Sequence, residues 1–199
     1  GAIVNLPAVL IVVALTWLCY IGIRQSASLN NLMVVVKVAI IVLFIVVGVS
    51  FVDTSLWRPY LPANTGEFGH FGLSGVMQGA AIIYFAYIGF DTAATTAQEA
   101  RNPQRDVPAG IMGALVISTI LYVAMGAVMT GMVDYTRLDV AAPVAVALDA
   151  HPGLRWLGLP VKIGAIIGMT SVILMSILGQ PRIFMAMARD GLLPPQLEK

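Results

Sequence analysis

The sequence predicts an all-α membrane protein of five transmembrane helices with the third one broken. Three observations lead there. Of 199 residues, 59% are hydrophobic and only 11% charged, with a mean hydropathy of +0.90, a balance outside the range of soluble domains. The apolar residues gather into five stretches, each near the roughly 20 residues a helix needs to cross the hydrocarbon core. Polar segments carrying Pro or Gly separate them, as connections between spans require. The chain opens on Gly1 with an apolar run that has neither the basic flank nor the cleavage site of a signal peptide. It reads as part of one transmembrane domain, residues 1–199, cut from something longer.

The spans are expected at about residues 6–23, 32–52, 74–98, 110–133 and 160–187. The first two are joined by the short segment Arg24–Asn31, and the second and third by a long one, Asp53–Leu73, with Trp57, Pro59 and Pro62. A short charged connection, Glu99–Ala109, leads into the fourth span. The long Asp134–Leu159 segment contains an apolar run from Val140 to Leu148, too short to span and expected as a helix lying across the mouth of the protein. Lys and Arg set the orientation. Arg24, Arg101, Arg105, Arg182, Arg189 and Lys199 fall on one side, Arg58, Arg137, Arg155 and Lys162 on the other. That excess puts the short loops in the cytoplasm and the long ones outside, with Trp57, Tyr60, Tyr135 and Trp156 at the outer interface.

A net charge of +1 and the lack of a basic stripe exclude nucleic acid as a partner. The lone Cys19 forms no intrachain disulfide and reads as a small buried hydrophobe. His70 and His151 lack ligand spacing, so no metal site is expected. No phosphate-cradling loop, zinc-protease motif or nucleophile elbow is present, and the chain reads as neither an enzyme nor a cofactor binder. Gly75-xxx-Gly79 and Gly164-xxx-Gly168 are spaced for close helix packing.

Two ionisable groups, Lys37 and Asp91, fall within spans, where their cost makes function the first hypothesis. The helical neighbours of Lys37 are Met33, Val34, Ile40 and Ile41, all apolar. Its partner must come from another helix, or the side chain snorkels toward headgroups about 9 Å away along the axis. In the third span, Tyr84-Phe85-Ala86-Tyr87-Ile88-Gly89-Phe90-Asp91 interrupts an apolar stretch. Gly89 permits a break and Asp91 is a good N-cap for a second half-helix. A continuous helix with Asp91 turned to a polar partner is the alternative. A break at membrane depth is tolerated only where the freed backbone groups line a cavity or meet a ligand.

The run Phe85–Asp91, followed by Gln98-Glu99-Ala100-Arg101-Asn102-Pro103-Gln104-Arg105-Asp106-Val107-Pro108-Ala109-Gly110-Ile111, resembles the sixth helix and cytoplasmic loop of amino acid-polyamine-organocation permeases, the cationic amino acid transporter branch in particular. Asn30-Asn31 through Lys37 and Phe44 resembles the fifth helix. Gly168-Met169-Thr170-Ser171 through Arg189-Asp190-Gly191-Leu192-Leu193-Pro194 resembles the eighth and the loop beyond. The resemblance implies the LeuT fold, with two inverted five-helix repeats whose first helices break at mid-membrane and hold substrate there. The five spans then correspond to helices four to eight.

Several roles follow from the resemblance. Phe85, Ala86 and Ile88 contact an amino acid substrate through backbone and ring surface, and Gly89 allows close approach. Asp91 caps the second half-helix. Lys37 occupies the place of a sodium ion in sodium-coupled relatives, and Thr170 and Ser171 match the hydroxyls that ligate that ion. Burial disfavours the charged ammonium, so Lys37 can release and regain a proton, which implies proton-coupled symport. The hydroxyls of Thr170 and Ser171 can instead bond back to their own helix. The expected partners are an amino acid, protons and the lipid bilayer, in a multi-pass protein of the plasma membrane. A polyamine or other organic cation as solute, or a non-transporting scaffold subunit, are the alternatives.

Overall fold

The computed structural model describes residues 6–21, 23–87, 89 and 102–194. Their regular structure is helical throughout, with no strand among the described residues. Helix α1 (Leu6–Ile21) is followed by α2 (Ile23–Gly48), α3 (Gly72–Tyr84), α4 (Pro103–Met132), the short α5 (Pro143–Asp149) and α6 (Gly158–Arg189). Three helical stretches among these residues are long and apolar enough to cross a membrane: Ser28–Phe51, Pro103–Met132 and Pro152–Arg189. They coincide with the expected second, fourth and fifth spans. The first expected span appears as the 16-residue α1, and of the third only the segment up to Gly89 is described.

The long α2 has no Pro or internal Gly before Gly48, so nothing interrupts its hydrogen-bond ladder. It is the hub of the bundle, packing most extensively on α6 and also on α4 and α1. Its crossing with α4 depends on Gly48, where an added Cβ would lie 2.6 Å from Val128 Cγ1. Of the two small-residue pairs, Gly164 brings α6 against Ile40 of α2, whose Cγ2 is 3.0 Å from the place of a Cβ. Gly168 and Gly79 have no such neighbour within 4 Å.

Helix α4 begins earlier than the expected residue 110. Pro103 stands at its first position, where a missing N–H costs nothing, and the Asn102 carbonyl accepts from the amides of Arg105 and Asp106. Pro108 is accommodated inside, removing one bond near an end where water can replace it. Arg105 and Asp106 are therefore helical residues, not loop residues. Helix α6 closes with a Schellman motif. Gly191 takes φ +75°, its amide donates to Ala188, and the Leu192 amide donates to Met187 at 2.9 Å. The family-like Arg189–Pro194 segment is thus a helix stop.

One buried cluster joins the elements at the expected outer end. Phe44 of α2, Val128 and Met132 of α4, and Ala147 and Leu148 of α5 meet Leu154 and Leu157 of the 3-10 segment Pro152–Leu157. Helix α5 is the short apolar run anticipated at the mouth, and it is packed into the core. Most other large apolar side chains of the long helices are exposed, including Val35 and Val46 on α2 and Ile117, Ile120 and Val123 on α4. In lipid those faces need no cover.

Candidate functional site

Two places carry the chemistry that the sequence anticipates. The first is the contact between α2 and α6. Lys37 Nζ donates to Ser171 Oγ at 3.1 Å, and Ser171 is 2% exposed. Ser171 Oγ in turn donates to the Gly168 carbonyl at 2.8 Å, so the hydroxyl is oriented by its own helix and presents a lone pair to the ammonium. Among the described residues no carboxylate pairs with Lys37. Of the two alternatives that its apolar neighbours left, the structure shows a partner on another helix, not a side chain running along α2 toward headgroups. Thr170 differs from its neighbour: its hydroxyl donates to the Ile166 carbonyl at 2.8 Å, the back-bond open to any helical Thr.

The second place is the end of α3. The α-helix stops at Tyr84 and tightens to a 3-10 turn, Phe85–Tyr87. Gly89 follows with φ +133°, a conformation L side chains rarely adopt. The helical ladder therefore ends inside the stretch where the sequence anticipated a break. Ile88, Asp91 and the expected second half-helix lie outside the described residues.

Phe85 is 69% exposed and Ala86 is also exposed. Ala86 meets α4, not α6, because Tyr122 Oη donates to its carbonyl at 3.1 Å. Tyr87 Oη and Thr119 Oγ1 lie 2.9 Å apart, and the rings of Tyr87 and Tyr122 make an edge contact at 5.4 Å. Two hydroxyls on successive turns of α4 thus hold the turn after α3. No hydrogen bond joins that turn to Thr170 or Ser171 among the described residues.

Sequence reasoning missed Tyr122 and Thr119. The available signal was polar tips inside an apolar span, since a buried hydroxyl requires a partner. Tyr122 also borders a cavity of about 630 Å³ on its other side, lined by Trp57, Tyr60, Phe71 and Tyr135 from the outer loops. Two of the four aromatics assigned to the outer interface, Tyr60 and Trp156, are well exposed. The loop walling the cavity is fastened by Asn64, whose Nδ2 donates to Ser74 Oγ at 2.8 Å and to the carbonyls of Glu67 and Phe71. Two carboxylates of the long loops, Asp53 and Asp134, are capping groups. Asp53 is held below the usual carboxylate range by its bond from Ser55, and Asp134 by bonds from Thr136. Among the described residues no group of His, Cys, Asp or Glu is arranged to hold a metal.

Long apolar helices with exposed flanks, joined through a lysine–serine contact, define a multi-pass membrane protein. The chain belongs to the amino acid permease family, whose profile matches residues 2–199. It is 41% identical to the branched-chain amino acid permease BcaP of Bacillus subtilis (strain 168), over 98% of this chain and 40% of that protein. It is 42% identical to the methylthioribose transporter of the same organism, again over 98% and 40%. Identity to cationic amino acid transporter 9, chloroplastic, of Arabidopsis thaliana is 36% over 96% of this chain and 32% of that protein. The chain spans about 40% of the length of the first two relatives. These relatives are named as transporters or permeases, in agreement with the absence of enzyme motifs from the sequence.

Proposed function

We propose that the full-length protein is a secondary active amino acid transporter of the plasma membrane, coupled to protons and working by alternating access. Residues 1–199 contribute part of its single transmembrane domain, with five spans on the LeuT plan. The observation that carries the reading is the stop of α3 at Tyr84 and the turn at Gly89. A helix that ends there leaves carbonyls without intrahelical donors, and the negative end of the helix dipole suits an α-ammonium group. Phe85, Ala86, Ile88 and Gly89 form this half of the substrate site, with Asp91 capping the half-helix that follows. The Ala86 carbonyl already accepts from Tyr122 and has a second lone pair for the substrate. Lys37, held by Ser171 with Thr170 beside it, is the proton-carrying group. Support for that role comes from the bond to Ser171 and from the absence of any carboxylate partner among the described residues.

One observation favours a second reading for the solute. A relative at 42% identity is named for methylthioribose, which has no α-ammonium for those carbonyls. Counterflow of labelled branched-chain and cationic amino acids into proteoliposomes of the full-length protein tests the choice. Amino acid exchange is expected. Exchange of methylthioribose with no amino acid exchange would replace the proposed substrate, and no exchange of either would favour a scaffold role.

A further inference from the structure

Asn30 stands seven residues before Lys37 on α2, and Phe44 seven after it. Seven residues are close to two helical turns, so the three side chains share one face at steps of about 10.5 Å. Two of them are accounted for: Phe44 is 1% exposed in the apolar cluster, and Lys37 donates to Ser171. The third is not. Asn30 Oδ1 is shielded from solvent and has no hydrogen-bond partner among the described residues. A buried amide oxygen without a donor is unfavourable, and a hydrophobic side chain of the same size avoids the cost. Its place at the expected cytoplasmic end of the span, two turns below the ammonium, points to a donor that arrives in another state.

The donor on the same face of α2 is Lys37, two turns away. Side chains on a helix lean toward its N-terminus, so the four-carbon stem of Lys37 swings naturally in the direction of Asn30. Asn30 leans the same way, so one bridging water closes the gap that remains. We propose that Asn30 is a positioning residue of the coupling step, the acceptor that takes the Lys37 ammonium through one bridging water when it leaves Ser171 toward the cytoplasmic side. This inference rests on the proposed coupling role of Lys37. The described charged side chains of the helices packed on α2 stand toward their ends, Arg105 and Asp106 at the start of α4 and Lys162 and Arg189 near the two ends of α6, while α1 carries none.

The test uses the full-length transporter in proteoliposomes, with Asn30→Leu and Asn30→Asp beside Lys37→Ala. Asn30→Leu removes the acceptor and the orphaned group together. It is expected to keep its melting temperature, to hold amino acid counterflow within about two-fold, and to lower accumulation driven by an imposed pH gradient at least five-fold. Asn30→Asp offers the ammonium a carboxylate, which favours its charged form, and should move the pH profile of uptake to higher pH. Unchanged accumulation and an unchanged pH profile in both variants overturn the inference. So does loss of counterflow together with accumulation in both, which makes Asn30 structural. If Lys37→Ala also retains driven accumulation, the coupling reading fails with it. If only Lys37→Ala loses accumulation, the coupling reading stands and Asn30 has no part in it.

Discussion

The α2–α6 contact and the end of α3 are built in opposite ways. Between α2 and α6 the acceptor is enclosed: Ser171 is 2% exposed and its hydroxyl is oriented by its own helix, while Lys37 is half-buried beside it. At the end of α3, Tyr84 and Phe85 are 72% and 69% exposed, and none of the α3 side chains is buried. What is fixed there is backbone, by the Gly89 turn and by Tyr122 and Thr119 reaching across from α4. On the proposed function, the difference separates two tasks. A residue that is to hold or release a charge needs defined surroundings, because a low dielectric magnifies every nearby dipole. A residue that is to meet a mobile solute needs an accessible edge with its backbone held in place.

The contrast predicts where substitutions act. The largest effect is expected at the open site. Ala86→Trp places a bulky ring where the solute is proposed to sit, and uptake by the full-length protein should fall about 100-fold with little change in melting temperature. Uptake equal to the parent's would remove Ala86 from the substrate site. The enclosed side should respond through stability instead. Phe44→Ala opens a cavity in the outer cluster and should cost about 3–5 kcal/mol, read as a lower melting temperature in detergent. A smaller effect separates the two α6 hydroxyls. Ser171→Ala removes the acceptor of a charged donor and should change pH-driven accumulation roughly ten-fold. Thr170→Val, whose hydroxyl bonds only to Ile166 among the described contacts, should stay within about two-fold. Equal losses at both positions would make them a joint site.

The smallest effect is expected in the outer loops. Asp134 titrates below the ordinary carboxylate range because Thr136 donates to it. Its contribution is therefore complete above the unfolded-state value and is lost as pH falls through the lowered folded-state value. Proteolysis of the loop should accelerate only in that acid range, and Asp134→Asn should abolish the pH dependence. A loop equally resistant at all pH values would show that the cap has no weight.

Much of this was legible because membrane helices announce themselves by length and apolarity. The fifth span and the ends of the second and fourth agree with α6, α2 and α4 to within a few residues, whereas α2 begins at Ile23, nine residues before the expected start, and α4 at Pro103. The start of α4 was misplaced because Pro103 and Pro108 read as loop markers, whereas proline is compatible with the first turns of a helix. The apolar neighbours of Lys37 left a partner on another helix or snorkelling, and Ser171 was named as that partner only through the resemblance to the permease family. The bond from Tyr122 to Ala86 was not legible, because it pairs a side chain with a backbone group 36 residues away and leaves no residue pattern. The unpaired Asn30 oxygen was likewise invisible, because an Asn near a helix start reads equally well as solvated.

The central claim is that the ammonium of Lys37 held by Ser171, and not its mere positive charge, drives accumulation. Arginine keeps the charge but stays protonated at every accessible pH. The direct measurement is uptake of labelled amino acid by the full-length Lys37→Arg protein in sodium-free proteoliposomes under an imposed pH gradient, with counterflow recorded in parallel. The account predicts that counterflow persists while accumulation against the gradient is lost. Accumulation equal to the parent's would contradict it and leave Lys37 as a structural link between α2 and α6.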